Sequence, residues 1–315
     1  MLVQCRTTTT EQMHLILPPD VRTKQTRRQL MKVRREELID HIPLPQAERT
    51  RVWHPTPCRA QTAGEWPELR GRPPPQGAVD RTAVRSKFGH GLTVTETALA
   101  FLQDARHRGN LCRPLDWIPE VHHPLGGGEA VIPDALLHYQ RHTKADHMDN
   151  ATRTDDTGGT GGGDGGDGGN EDEPDARGGV MLRAFVEVDR ATMGPERLAA
   201  KLTAYARPHS YAPLPAVRQR QQPFPEPVQE TWRQRYPLFP RLLFVRDSTG
   251  PAGVETRISA LRAAARGPEL APFLRDVPIL AAPLTDLLHH GPTAPVWRPV
   301  THPDQRVDWI HTRHP

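Results

Sequence analysis

The sequence predicts a mixed α and β protein (α+β / α/β) in two parts, a small basic helical unit and a larger body built on a mixed sheet. Three observations carry that prediction. Two helix-like segments near the amino end are followed by two short β-rich runs. Further along, short apolar runs alternate with amphipathic helical stretches, the pattern of a sheet with helices on its faces. The connections between them are rich in Pro and Gly, in a chain with 34 Pro and 25 Gly.

Residues 1–66 form the first unit. Thr10 is placed to cap a short helix, Glu11–Leu17, which Pro18-Pro19 ends. A second helix is expected from Thr23 to Leu38, with Leu30, Val33 and Leu38 on its apolar side. Ile39–Leu44 and Arg51–Thr56 read as two strands joined by a Pro-containing turn, and Trp53 and Trp66 as core residues. Helix, short turn, basic helix and hairpin is the order of a winged helix-turn-helix, here with its leading helix short or missing.

Residues 67–87, which include Pro73-Pro74-Pro75, read as a linker. Residues 88–300 read as one domain. It begins with a helix, Thr93–His107, and strands at Leu115–Val121 and Ala130–Tyr139, with Gly126-Gly127-Gly128 supplying a tight hairpin. Residues 145–179 carry a Gly/Asp tract that cannot bury a core and are expected to be a disordered insertion between two strands of one sheet. A strand Val180–Val188 follows, and Pro195 suits the first turn of a helix running to about Ala206. Trp232–Tyr236 reads as a helical turn, Arg241–Val245 as a strand, Glu255–Ala265 as a helix, Val277–Ala281 as a strand and Leu284–His290 as a short helix. Residues 301–315 read as a tail.

The formal charge is only +4, but it is unevenly spread. Arg22 to Arg35 holds seven Lys/Arg and no acid, whereas Asp146 to Arg177 holds ten Asp/Glu against two Arg. A basic helix with no compensating acid before Glu36 points to double-stranded DNA as partner. Gln25 and Arg28 are candidate base readers; Lys24, Arg27, Lys32 and Arg35 are candidate phosphate contacts. Cys5, Cys58 and Cys112 lie too far apart for a zinc knot or a disulfide framework. No apolar run is long enough to cross a membrane and the first residues are no signal peptide, so a cytoplasmic protein is expected.

The chemistry concentrates where the strand ending in Glu187 and Asp189 meets the helix carrying Lys201. Residues two apart on a strand share a face, so these two acids point one way and Val186 and Val188 the other. Asp134, expected on an adjacent strand, joins them. Three such carboxylates repel one another without a cation, and magnesium suits their oxygens. Lys201 is placed to stabilise charge on a phosphate. The plainer alternative is that Asp189 caps the turn into the next helix and pairs with Arg190 or Arg197, and that Lys201 is solvated.

Four segments in order and spacing carry a family resemblance: PDALL (Pro133–Leu137), FVEVDR (Phe185–Arg190), ERLAAKLTAYA (Glu196–Ala206) and FPRLLFV (Phe239–Val245). From His90 to Trp297 the chain resembles the actinobacterial replication-relaxation proteins of plasmids and integrative elements. The second half is also similar to the PD-(D/E)xK nuclease superfamily, the restriction-endonuclease-like αβββαβ fold. That resemblance implies Asp134, Glu187 and Asp189 as magnesium ligands and Lys201 as the catalytic amine. Asp189 stands where lysine is expected. Glu96 on the leading helix, or Glu120, matches the superfamily's additional acid. The function implied is DNA binding in plasmid replication, relaxation or transfer, with magnesium-dependent nicking. The alternative is an inactive regulator or accessory factor for a relaxase or replication initiator.

Overall fold

The computed structural model describes residues 2–44, 50–56, 81–126, 128–142, 179–190, 194–212, 230–247 and 250–311. The expected insertion at 145–179, all but its last residue, lies outside them, as do Trp66 and most of the expected linker.

The amino-terminal unit comprises α1 (Leu2–Cys5), β1 (Thr8–Thr9), α2 (Thr10–Ile16), α3 (Thr23–Arg35), β2 (Ile39–Pro43) and β3 (Arg51–Pro55). The cap of α2 is Thr9, one residue before the expected Thr10. Its hydroxyl accepts from the Gln12 amide while Gln12 Oε1 accepts from the Thr9 amide, each at 3.1 Å. Gln12 stands three residues after Thr9, and that spacing closes a capping box. Helix α3 stops three residues short of the expected Leu38. Glu37 adopts φ +56° and the Leu38 amide reaches back to the Val33 carbonyl at 3.3 Å, a left-handed helix ending. The hairpin pairs Ile39 with Pro55 through Pro43 with Arg51, and β1 adds to its other edge in the order β1-β3-β2.

The body opens with a long helix, α4 (Arg81–Arg108), which starts inside the stretch expected to be linker. Then come β4 (Trp117–Pro119), β5 (His123–Gly126), β6 (Glu129–Val131), β7 (Ala135–His142), β8 (Gly179–Asp189), α5 (Pro195–Ser210), β9 (Arg241–Arg246), α6 (Pro251–Ala264), α7 (Ala271–Asp276), β10 (Ile279–Pro283), α8 (Leu284–His290) and β11 (Arg298–Pro299). The single strand expected over Ala130–Tyr139 is two, β6 and β7, and they belong to different sheets. Pro133 has no amide to give a ladder, and the chain breaks there. β5 and β6 form a separate hairpin.

Six strands make one mixed sheet, ordered β11-β10-β9-β8-β7-β4. β8, β9 and β10 run parallel, while β7 pairs antiparallel with β8 from Ala135↔Val186 to His142↔Gly179. One face, through Val186, Val188, Leu243 and Val245, packs on Phe101 of α4, Leu287 of α8, Trp297 and Trp309. The other, through Phe185, Leu242 and Phe244, packs on Leu198 and Leu202 of α5 and Ile258 and Leu261 of α6. Trp309 is fully buried, so the expected tail is core at least that far. Its carbonyl accepts from Arg241 at 2.6 Å.

The two parts share a core. Met13, Ile16, Leu30, Ile39 and Trp53 cluster with Leu99 and Leu102 of α4. Gly91 leaves room for the Thr7 side chain, and Arg106 donates to the carbonyls of Leu15 and Ile16, both at 2.8 Å. Among the described residues no helix is long and apolar enough to cross a membrane.

Candidate functional site

The carboxyl ends of the parallel strands β8 and β9 open on one edge of the sheet, where a crevice is ordinarily found in folds of this kind. Asp134 arrives there from the bend before β7. The strand expected to carry it begins only at Ala135, because Pro133 has already broken the ladder. The bend still sets Asp134 beside β8: its Oδ2 accepts from the Val188 amide at 2.7 Å, and its Oδ1 lies 3.0 Å from Nε2 of His90 on α4.

Glu187 is buried on the face towards α5. Its Oε2 pairs with Lys201 Nζ and its Oε1 accepts from the Tyr205 hydroxyl at 2.6 Å. Lys201 and Tyr205 are four residues apart on α5 and so present to the same acid. Burial, and then the charge of Asp134, push the Glu187 carboxyl up to about 7 against the opposing pull of Lys201 and Tyr205. Burial works against the charged Lys201 too, but Glu187 and Asp134 outweigh it and hold its proton more tightly than usual. Burial would raise Asp134, yet the His90 hydrogen bond, the Lys201 charge and the Val188 amide together bring it below the ordinary aspartate value.

Asp189 does not join them. Its carboxylate lies 2.6 Å from Arg246 and 3.2 Å from Arg257, with side-chain exposures of 2% for the acid and 0% for Arg246. Neither expected alternative partner, Arg190 nor Arg197, makes that pair. Arg190 lies instead 3.7 Å from Asp247. Glu96 also stands apart, receiving a 2.7 Å hydrogen bond from Gln12 of α2, so it joins the two units. Glu120 pairs with Arg6. Among the described residues no group of three or more His, Cys, Asp and Glu side chains is arranged to hold a metal ion.

The sequence reading missed His90, Tyr205, Arg246 and Arg257. Tyr205 carried a signal, its place one turn beyond Lys201 on the same helix face. His90 carried none, because α4 was expected to begin only at Thr93.

On the amino-terminal unit, Lys24, Gln25, Arg27, Arg28, Lys32 and Arg35 are all exposed on α3, whose Thr26 and Leu30 are buried. Arg27 has only a loose pairing with Glu11, at 3.6 Å. Between α3 and the hairpin, Arg27, His41 and Arg51 line an open cleft of about 810 Å³.

The replication-relaxation family profile matches residues 1–213, more than half of the chain. The chain belongs to the replication-relaxation family. The match takes in α3, Asp134, Glu187 and Lys201 and ends just past α5, short of the FPRLLFV strand that also carried the resemblance. Arg246 and Arg257, which hold Asp189, lie outside the family's matched span. Membership suggests a role in plasmid replication or relaxation. No curated protein and no solved structure is detectably similar to the chain.

Proposed function

We propose that this replication-relaxation protein binds double-stranded DNA through a winged helix-turn-helix in its first unit and acts on the strand with a PD-(D/E)xK-like centre in its body. The convergence of Asp134, Glu187 and Lys201 at one sheet edge carries the reading. It brings together groups from a bend, a strand and a helix spread over 68 residues. The fold supports it: three helices and a three-stranded sheet in the first unit, and a mixed sheet between helical layers in the body.

Asp134 and Glu187 suit magnesium. Two carboxylates that feel each other's charge, one of them buried and raised to about 7, form an oxygen donor pair in which each acid faces one cationic or imidazole partner, Lys201 or His90. Asp189 does not suit it, because Arg246 and Arg257 already neutralise that acid. Bound there, magnesium would polarise a phosphodiester and acidify its attacking water. The chain's own residues do the rest. The Val188 amide and the Tyr205 hydroxyl orient one oxygen of each acid. Lys201, with its side chain 30% exposed, offers a cation to the phosphate.

A second reading is a DNA-binding accessory factor for a relaxase or replication initiator that does not cut. The capture of Asp189 by two arginines favours it, together with the lack of a three-acid group among the described residues. Nicking of supercoiled plasmid with magnesium separates the two. Activity in the wild type that Asp134→Ala and Glu187→Ala each abolish supports the nuclease; binding without nicking supports the accessory factor. Nicking that survives both substitutions removes the site.

A further inference from the structure

Arg190, the residue directly after β8, is poised over the same sheet edge in a way that the proposed chemistry does not use. Its guanidinium lies against Gly89 of α4, so closely that a methyl group at Gly89 would land on it. Glycine inside a helix is less favourable than alanine, so its presence there calls for a reason. The approach of Arg190 supplies one. The next residue along α4 is His90, which reaches Asp134, and across the edge Lys201 reaches Glu187.

Three elements thus deliver one donor each to one lip: the His90 imidazole and the Arg190 and Lys201 cations. Side-chain exposures are 47% for His90, 38% for Arg190 and 30% for Lys201. The acids beneath are more deeply set, 18% for Asp134 and 4% for Glu187. Asp247 is the exception: it is 41% exposed and 3.7 Å from Arg190, and the Thr93 hydroxyl lies 3.2 Å from it. At that separation the Arg190–Asp247 pair is beyond hydrogen-bond length and readily exchanged. Arg246 and Arg257 do not contribute to the lip, being committed to Asp189 below.

From this geometry we infer that His90, Arg190 and Lys201 form a phosphodiester-binding lip, in which Arg190 gives up Asp247 to clamp a backbone phosphate beside the Asp134–Glu187 pair. Planar guanidinium donors suit phosphate, and the acids beneath are set deeper than the donors above them. The absence of a side chain at Gly89 leaves the space that the Arg190 guanidinium occupies. This rests on the reading that the body of the protein engages DNA, but it needs no metal and no cleavage.

The test is fluorescence anisotropy of the full chain with labelled duplex and labelled single strand, in EDTA, over a salt series. Arg190→Gln should weaken binding roughly five- to twenty-fold and lower the salt slope by about one, the signature of one lost phosphate contact. Gly89→Ala removes no charge but displaces the guanidinium, and should weaken binding in the same direction. Arg190→Lys should recover part of the loss. Arg275→Gln, an exposed arginine on α7 just before β10 enters the sheet, controls for general charge. If wild type binds and Arg190→Gln and Gly89→Ala behave like Arg275→Gln, the lip is wrong while the DNA-binding reading stands. If wild type binds neither probe, both fall.

Discussion

Glu187 sits buried beside the charge of Asp134, and its folded value of about 7 lies above the ordinary 4.5. The folded state therefore holds this proton more tightly than the unfolded chain does. The stability so gained is complete below about 4.5 and is lost as pH rises through about 7. Between about pH 5 and about pH 7.5, wild type should lose more stability than Glu187→Gln, read as the shift in urea midpoint at each pH. Asp189 makes the opposite kind of prediction. Arg246→Met leaves it with Arg257 alone in a buried setting and should cost roughly 3 kcal/mol by urea denaturation, with Asp189→Asn costing less. That Glu187 and Asp189 share a side was legible from the two-residue period of a strand. Their different fates were not, because the deciding residues arrive from elsewhere: Arg246 and Arg257 are on β9 and α6, and His90 is on a helix whose first turns gave no apolar period. Lys201 was legible because one helix follows the strand directly.

At the scale of elements, the helix α4 joins the two parts. Its Glu96 takes a hydrogen bond from Gln12, and its Arg106 satisfies carbonyls at the end of α2 that no further helical turn is there to satisfy. Arg106→Ala should cost about 1 kcal/mol. Amide hydrogen exchange should show it as faster exchange in α2 with β8 and β9 unchanged. Most elements were readable from apolar runs and Pro or Gly punctuation; β8, β9 and α8 fall within about a residue of expectation. The strand expected over Leu115–Val121 is only Trp117–Pro119, and two further misreadings have identifiable reasons. The run Ala130–Tyr139 hides a break because its flanks are equally apolar, and only Pro133 marks it. Helix α4 begins at Arg81 although its first turns are polar and follow a Pro-rich stretch, so no periodicity announces it.

Across the whole molecule, Leu99 and Leu102 lie in a common cluster with Trp53 and Leu30, so the basic helix and the sheet edge belong to one packed body. Thermal unfolding followed by tryptophan fluorescence and by far-ultraviolet circular dichroism should give coincident transitions; two separated transitions would show that the units melt independently. For the same reason α3 is better tested by Lys24→Ala, Arg27→Ala and Arg28→Ala than by removing the first unit, which would strip Leu99 and Leu102 of their cover. The combined change should reduce duplex binding and its salt slope without moving the melting temperature. The mixed sheet was foreseeable from the order of elements; the sharing of one core was not, since it depends on which face of α4 meets Trp53. The β7–β8 ladder has a practical corollary. His142 and Gly179 are cross-strand partners, so the thirty-six intervening positions, 143–178, leave from and return to the same spot. A two-residue Asn-Gly splice would bridge that gap, and by ring-closure entropy the shortened polypeptide should gain about 2.5 kcal/mol.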